Sequence, residues 1–332
     1  MLPTLMLPRI YPLLFFHHRL GEQEKQTQPA SKRNMSTVGF IGIGIMGLGM
    51  CHNLIKSGRK LVVWNRSREA ADKLAAEGEK GIVTVVDSPA DVIAACGVTY
   101  SMLSTIEASE AVFPQILPAL KPGKILVDCA TLTVERMKYI GTEVNKAGAL
   151  FLEAPVSGSK GPAEAGQLIF LAAGSPDVRE VVKADFDKMG KATFYFGEEV
   201  GKGTKMKIVV NMIMGVQLNA LAEGIALCEA CGIEAGKLIE VLELGAMASP
   251  MIKLKGPAMV AAKYDPAFPL KHAQKDMRFA VQLADDSNIA IPVTAASNEQ
   301  YKKARGAFGD SDFSAVVEAS RSNKMSASKN NN

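Results

Sequence analysis

Short apolar runs alternate with amphipathic segments from Met35 to about Val200. Short runs bounded by turn residues predict strands, and the helical spacing of apolar positions between them predicts helices. The predicted strands lie near residues 37–41, 61–64, 82–86, 98–103, 124–128, 149–152, 168–173 and 192–196. Because strands and helices alternate, we expect a mostly parallel, doubly wound sheet with helices on both faces, which is the α/β class.

The pattern changes after Val200, where strand signals stop. The segments that follow are separated by Gly, Pro and Ser and are predicted to be helices over 203–231, 234–244, 270–286 and 293–305. The first is long, apolar and rich in Met and Ala, which indicates either the buried spine of a helical domain or an interface between subunits. We therefore expect a sheet domain over 37–198, an all-helical domain over 199–321 and a disordered tail over 322–332.

Residues 1–34 lie outside this pattern. Residues 1–20 carry Arg9 and Arg19 but no acid and are broken by prolines, and a polar stretch then leads to Met35. These features favour a disordered or cleaved leader and linker that directs import into a mitochondrion or plastid. The alternative is that translation starts at Met35 and that the protein is cytoplasmic.

Composition indicates a globular protein of about two domains and argues against some classes of partner. A chain of 332 residues has room for about two domains, and 48% hydrophobic with 22% charged residues is ordinary for a soluble globular protein. The net charge of +4 is small and no basic run is interleaved with aromatic residues, which argues against nucleic acid as a partner. No apolar stretch reaches the roughly 18 residues needed to cross a membrane, so we expect no membrane partner.

Cysteine and histidine usage argues against disulfide and metal chemistry. The 5 cysteines are an odd number in a long chain, which does not indicate a disulfide framework. Cys228 and Cys231 form a C-x-x-C, but they fall inside a predicted helix, and we interpret them as packing residues. The 4 histidines are scattered, so no metal site is expected.

A glycine-rich loop between the first two predicted strands is the most specific motif. The chain over 38–67 reads as strand, loop, helix and strand. In this setting Gly42 permits a tight turn, Gly44 lets the backbone approach a pyrophosphate, and Gly47 lets helix and strand pack closely. The N-terminus of the helix then offers free N–H groups to the phosphates. The loop residues assigned to a dinucleotide are Gly42, Gly44, Ile45, Met46 and Gly47.

The end of the second predicted strand indicates which dinucleotide is bound. A site for NAD usually has an acid there, which binds the ribose 2′-hydroxyl, but this chain has Asn65-Arg66-Ser67 and no acid before Glu69. Arg66 would attract a 2′-phosphate, and Asn65 and Ser67 can add hydrogen bonds. The motif predicts NADP(H); the alternative is that Arg66 is a solvated loop charge.

Three more segments carry candidate chemistry. Thr131 ends the run Asp128–Thr131 at the carboxyl end of a predicted strand, where ligands bind in open α/β sheets. The small residues of Ser157-Gly158-Ser159 can turn backbone N–H groups toward a substrate carboxylate. Lys207 and Asn211 lie four apart on one otherwise apolar helix face, an unusual place for a lysine without a function. Spacing alone leaves a structural role for each segment open.

Four motifs in order resemble the β-hydroxyacid dehydrogenases, the family that includes the 3-hydroxyisobutyrate dehydrogenases. They are FIGIGIMG with VWNRS, EAPVSGSKGPAEAGQL, GKGTKMKIVVNMIMG and FPLKHAQKDMRFA, spread over about 37–320. Within the family they are most similar to plant-type glyoxylate/succinic semialdehyde reductases. The resemblance implies a Rossmann domain, joined by a long helix to an all-helical domain like that of 6-phosphogluconate dehydrogenase.

The resemblance also implies roles for individual residues. Lys207 would be catalytic with Asn211 in support, and Phe268 and Asp276 would shape the substrate site beside Ser157 and Gly158. Thr131 would contact substrate and cofactor, and the cofactor would also contact Met102, Leu103 and Lys275. One departure is Asp-Cys-Ala-Thr where relatives have Asp-x-Ser-Thr, so that Ala130 removes a hydroxyl expected near the site.

The implied reaction is the NADPH-dependent reduction of glyoxylate to glycolate and of succinic semialdehyde to 4-hydroxybutyrate. Lysine has an unperturbed pKa of about 10.4, so we expect Lys207 to donate the proton without strong tuning of its pKa. The alternatives are a 3-hydroxyisobutyrate or tartronate semialdehyde enzyme and, more remotely, a non-catalytic binding module. We expect a small aldehyde acid as substrate and assembly into a homodimer or homotetramer.

Overall fold

The computed structural model describes residues 36–77 and 79–321. The expectations for the leader over 1–34 and for the tail over 322–332 lie outside the described residues.

Nine strands form one sheet in the described part of the chain. They are β1 (Thr37–Ile41), β2 (Lys60–Trp64), β3 (Val83–Val85), β4 (Val98–Ser101), β5 (Ile125–Asp128), β6 (Leu150–Glu153), β7 (Val156–Ser157), β8 (Leu168–Gly174) and β9 (Gly190–Tyr195). The order β3-β2-β1-β4-β5-β6 is parallel throughout, as in a Rossmann sheet. β8 runs antiparallel to β6 and β7, and β9 pairs parallel with β8.

Helices connect the strands and form the regular structure that follows the sheet in the described chain. They are α1 (Ile45–Lys56), α2 (Arg68–Glu77), α3 (Pro89–Ala95), α4 (Ile106–Ile116), α5 (Val134–Lys146), α6 (Lys160–Glu164), α7 (Pro176–Met189), α8 (Lys202–Ala230), α9 (Ala235–Leu244), α10 (Pro250–Val260), α11 (Leu270–Asp286) and α12 (Pro292–Phe308). The described residues after Tyr195 form no named strand. The predicted class, a doubly wound sheet followed by a helical domain, is confirmed.

Two elements differ from the sequence expectation. β7 has only 2 residues, too few to give an apolar run. α10 was missed because Pro250, Gly256 and Pro257 lower its helix propensity. The helix nevertheless forms because Ser249 caps it by accepting a hydrogen bond from the Ile252 N–H at 3.2 Å, and because Pro250 occupies a position that needs no N–H partner.

α8 is the spine that joins the two parts of the chain. Its 29 residues pack against β8 as well as against α9, α10, α11 and α12. By length and composition alone it could cross a membrane, with a mean hydropathy of 1.5 over its most apolar window, so the expectation that no such stretch exists is wrong. Within the protein 44% of that window is buried.

A carboxylate from the sheet caps the start of α8. Glu153, at the end of β6, accepts hydrogen bonds from the N–H groups of Gly201 at 2.6 Å, Gly203 at 2.9 Å and Thr204 at 3.3 Å. The Thr204 hydroxyl donates a fourth at 2.6 Å. Burial raises the pKa of Glu153, although these bonds act to lower it. This contact fixes the first turn of α8, and with it the position of Lys207, relative to the sheet.

Candidate active site

A cavity of about 670 Å³ lies where the carboxyl ends of the parallel strands meet the helical part of the chain. The sequence-predicted residues that line it are Gly44, Ile45, Met46, Gly47, Met102, Leu103, Thr131, Ser157, Gly158, Lys207, Asn211, Phe268, Lys275 and Asp276. The chain order of the sheet reverses between β1 and β4, and this is the position at which open α/β sheets bind ligands. Gly42, Asn65, Arg66 and Ser67 are absent from the lining.

The glycine loop has the geometry that a dinucleotide requires. Gly42 has φ +98°, and a Cβ there would lie 2.5 Å from the Met102 carbonyl oxygen. A Cβ on Gly47 would lie 2.0 Å from the Gly42 carbonyl oxygen, whereas a Cβ on Gly44 would meet no atom within 4 Å. α1 begins at Ile45 with no side-chain cap, so its first N–H groups are available to a pyrophosphate. The loop therefore fits this part of the cofactor.

Asn65 and Arg66 have different environments at the end of β2. The Asn65 side-chain oxygen accepts a hydrogen bond from the Ile43 N–H at 2.9 Å, and its NH₂ donates to the Ser67 carbonyl oxygen at 2.9 Å. Asn65 therefore supports the glycine loop. Arg66 is exposed and has no hydrogen bond or ion pair with any described residue, whereas its neighbour Arg68 pairs with Asp72 and Asp87.

Lys207 begins a buried chain of polar contacts between α8 and α11. Its Nζ donates to the Asn211 Oδ1 at 2.7 Å, and the Asn211 Nδ2 donates to the Asp276 Oδ2 at 2.6 Å. The other Asp276 oxygen lies 3.4 Å from the Lys275 Nζ. The contact fixes the Asn211 amide with its oxygen toward the lysine, so Nζ is held at the cavity wall.

Burial changes the acidity of Lys207. The side chain is 5% exposed, and burial lowers its pKa to about 8; Asp276 opposes this shift and Lys275 adds to it. The sequence expectation of an ordinary lysine pKa is therefore wrong, because spacing on a helix does not reveal how completely the helix face is covered. The group can both give and take a proton near neutral pH.

The small-residue turn forms the wall next to Lys207. Gly158 has φ +138°, and a Cβ there would lie 2.8 Å from a Leu168 methyl carbon, so this position requires glycine. α6 follows the turn and is held against α1 because the Asn53 Nδ2 donates to the Ala163 carbonyl oxygen at 2.7 Å. The small-residue turn and α1 are thus fixed to each other.

Comparisons with known proteins match both parts of the chain. Residues 37–197 match the family described as the NAD binding domain of 6-phosphogluconate dehydrogenase, and residues 201–320 match NAD-binding of NADP-dependent 3-hydroxyisobutyrate dehydrogenase. The chain is 48% identical to glyoxylate/succinic semialdehyde reductase 1 of Arabidopsis thaliana, over 85% of this chain and 97% of that protein. It is 43% identical to the Arabidopsis reductase 2, named chloroplastic, over 94% and 88%.

A solved structure extends the comparison. The 3-hydroxyisobutyrate dehydrogenase of Mycobacterium tuberculosis, determined with L-serine, is 26% identical, has a TM-score of 0.76, and covers 86% of this chain and 99% of that one. The chain belongs to the 3-hydroxyisobutyrate dehydrogenase-like family. It is therefore a nicotinamide dinucleotide-dependent oxidoreductase that acts on a small molecule, with NADP(H) as cofactor.

The structure gives the positions of Lys275 and Ala130, which the family motifs alone do not reveal. Lys275 reaches from α11 to the sheet domain, where its Nζ donates to the carbonyl oxygens of Thr131 at 2.8 Å and Ser104 at 3.1 Å. Ala130 is fully buried in the apolar cluster with Ile41 and Leu126 and is absent from the cavity lining. The methyl group of Ala130 therefore belongs to the core behind the cavity wall.

The cavity also includes residues that the sequence analysis missed. His272 lies one turn before Asp276, and burial together with Lys275 lowers its pKa to about 4, so the imidazole is neutral near pH 7. Lys255 and Phe313 line the same cavity. The position of His272 on the face of Lys275 and Asp276 was visible in the motif FPLKHAQKDM, whereas Lys255 lies in the helix that was not predicted.

Proposed function

We propose that this protein is an NADPH-dependent reductase of glyoxylate and succinic semialdehyde. The observation that carries the proposal is the buried Lys207 ammonium, held by Asn211 in a cavity that the glycine loop and the small-residue turn also line. The similarity to the two Arabidopsis reductases supports the choice of substrates.

Each residue of the site has a separate role in the proposed reaction. NADPH, when bound, supplies a hydride to the aldehyde carbon. Lys207 then stabilises the negative charge that grows on the carbonyl oxygen and gives it a proton from Nζ. Asn211 orients Nζ, and Asp276 orients Asn211. Ser157, Gly158 and Ser159 bind the carboxylate of glyoxylate, while Phe268 and Phe313 form an apolar wall, with ring centroids 5.3 Å apart.

Arg66 is proposed to bind the 2′-phosphate of NADPH. It is exposed at the end of β2 without a partner among the described residues, so its guanidinium is available to phosphate oxygens. Thr131, Met102, Leu103 and Lys275 are proposed to contact the cofactor at the edge of the sheet.

Steady-state kinetics with NADPH test the proposal. We expect glyoxylate and succinic semialdehyde to be reduced, and propanal to be worse by orders of magnitude because it leaves the carboxylate donors unpaired. Lys207→Ala should lower kcat by about 100-fold or more while NADPH binding, measured by fluorescence, persists. If oxidation of 3-hydroxyisobutyrate is the fastest reaction, the substrate assignment is wrong; if Lys207→Ala keeps most of kcat, the mechanism is wrong.

The two alternatives have less support. A 3-hydroxyisobutyrate or tartronate semialdehyde enzyme has the same fold, and the substrate panel separates it from the proposed reductase. A non-catalytic binding module would have no need of a lysine that is 5% exposed in a cavity. Such a module would oxidise no NADPH with any aldehyde acid.

We also propose a homodimer or homotetramer. Met206, Val209 and Ile213 are 38%, 39% and 49% exposed and lie three and four apart on α8, so they form an apolar stripe on its surface. Light scattering after size-exclusion chromatography should give a mass that is a multiple of the 35.4 kDa chain, and Ile213→Lys should lower it. A wild-type monomer contradicts this proposal.

Import into an organelle is proposed for residues 1–34. The Arabidopsis relative named chloroplastic supports a plastid as the destination. A fluorescent protein fused to residues 1–40 should then enter plastids or mitochondria. A diffuse cytosolic signal would instead favour the cytoplasm and a start at Met35.

A further inference from the structure

The cavity continues well beyond Lys207 along α8. Lys207, Asn211, Met214 and Gln217 all line it, and the first and last of these are separated by about 15 Å of helix. Glyoxylate is one of the smallest possible aldehyde acids and cannot fill this length beside the nicotinamide. The far part of the cavity therefore has room for a longer substrate.

A second buried lysine lines the same cavity. Lys255 of α10 is 8% exposed and contributes to the cavity wall. Ile252 and Met259, on the same face of α10, pack in one apolar cluster with Leu218 and Leu221 of α8. α10 also packs against α8, and from this packing we place Lys255 beyond the first turns of α8 that carry Lys207.

Asp312 holds the Lys255 ammonium in place and leaves one of its N–H donors without an acceptor among the described residues. Its Nζ lies 2.7 Å and 2.8 Å from the two oxygens of Asp312. Asp312 also accepts hydrogen bonds from the backbone N–H groups of Ala267 and Phe268, each at 3.2 Å, and from Ser314. Both oxygens of the Asp312 carboxylate thus accept several hydrogen bonds. The Lys255 ammonium has three N–H donors, of which two are directed at Asp312, so one is left for a ligand.

The two proposed substrates need carboxylate donors in different places. In glyoxylate the carboxylate is bonded directly to the aldehyde carbon, whereas in succinic semialdehyde two methylene groups separate them. If Lys207 and the nicotinamide fix the carbonyl group in both complexes, one set of donors cannot meet both carboxylates. The small-residue turn at 157–159 suits the short substrate, and a donor deeper in the cavity is required for the long one.

We propose that Lys255 is the carboxylate-binding residue for four-carbon aldehyde acids. The proposal rests on the proposed function, and it makes Lys255 a specificity-determining residue. Asp312 positions the Lys255 ammonium and also holds the backbone of Phe268, so the charge and the apolar wall are fixed together.

Charge removal at Lys255 tests this assignment. kcat/KM is measured with NADPH for succinic semialdehyde, glyoxylate and butanal, which lacks the carboxylate of the four-carbon acid. In Lys255→Met we expect the ratio of succinic semialdehyde to glyoxylate to fall by about 10- to 100-fold, the effect of losing a charged hydrogen bond. The advantage of succinic semialdehyde over butanal should shrink by the same factor. Lys253→Met, which removes an exposed lysine from the same helix, should keep both ratios.

A double variant covers the case in which Lys255→Met does not fold. Lys255→Met with Asp312→Asn removes both charges, so that no carboxylate is left buried without its partner, and the same change in ratios is expected. If either variant lowers kcat/KM equally for all three aldehydes, the ion pair is structural only and the inference is wrong. If the wild-type protein does not reduce succinic semialdehyde, the proposed function is itself contradicted.

Discussion

Lys207 shows how far burial can change the chemistry of a residue. The pKa of Lys207 is about 8 in the protein, against the usual value of 10.5. At a pH between these two values the Lys207 amine is neutral, whereas an exposed lysine would be charged. Reduction requires the ammonium form and oxidation of the alcohol requires the neutral amine. We therefore expect kcat for reduction to decline as the pH rises through about 8, and kcat for the reverse reaction to rise over the same interval.

This prediction is checked by measuring kcat against pH for aldehyde reduction and for alcohol oxidation, each at saturating substrate and cofactor. Asp276→Asn is the comparison, because Asp276 acts to raise the pKa of Lys207, and its removal should move the limb to lower pH. A reduction profile that stays flat to pH 10 would contradict the lowered pKa as the cause.

Arg66 is the residue through which cofactor preference can be tested. Arg66→Glu should weaken NADPH use by about 1.5–3 kcal/mol in kcat/KM, since it removes a charged hydrogen bond to phosphate and adds repulsion. NADH has no 2′-phosphate and should lose far less. Arg68→Gln is the matched control, because the Arg68 side chain is already paired with Asp72 and Asp87. Equal losses with the two cofactors would show that Arg66 does not bind the phosphate.

Helical spacing predicted the juxtaposition of Lys207 and Asn211, because both lie on one helix. The contact of Asn211 with Asp276 spans 65 residues of sequence, and only the family motif pointed to Asp276. Nothing local reveals that Asn65 bonds to Ile43 or that Ala130 faces the core. These positions depend on how the strands and loops pack, which residue type does not specify.

At the scale of elements, the start of α8 depends on a carboxylate from β6. Glu153→Ala would leave three N–H groups and a hydroxyl buried without acceptors, and we expect a loss of about 3 kcal/mol or more in the free energy of unfolding. Glu153→Gln keeps one acceptor oxygen and should lie between this variant and the wild type. Glu198→Ala, at an exposed position nearby, is the control. Urea denaturation with an unchanged midpoint for Glu153→Ala would rule out this capping role.

The parallel strands and the long helices were predictable because their apolar periodicity is local. α11 was predicted over 270–286 and is found at Leu270–Asp286. α10 was not, since its prolines and glycine are tolerated only because of a cap and the close approach of Gly256 to Ile239, where a Cβ would lie 2.7 Å from the Ile239 side chain. Local propensity therefore fails where tertiary contacts determine the backbone.

At the scale of the whole molecule, residues 37–320 contain both family matches and every residue of the cavity. We therefore expect the protein that lacks residues 1–34 to fold and to keep its kcat/KM for glyoxylate within about two-fold, since surface changes away from a site have small effects. Thermal unfolding and NADPH kinetics of the two forms make the comparison. A truncated protein that is insoluble or inactive would show that the leader is part of the catalytic unit.

The sequence predicted many residues of the cavity wall, but it did not predict the size of the cavity. The Lys255–Asp312 pair joins positions 57 residues apart, and Lys275 bonds to Thr131 across 144 residues. The class of reaction follows from motifs, but the size of the cavity follows from how α8, α10 and α11 pack over the sheet.

The different environments of Asn65 and Arg66 have an evolutionary consequence. Because Asn65 secures the glycine loop through Ile43, and Arg66 has no hydrogen bond or ion pair with another described residue, a substitution at position 66 should leave the loop in place. A lineage could exchange one cellular pool of reducing equivalents for another by a single codon change at position 66, with the hydride chemistry left intact. On the proposed role of Arg66, the choice between NADPH and NADH would be set at the end of β2, and the residues around Lys207 could be inherited unchanged.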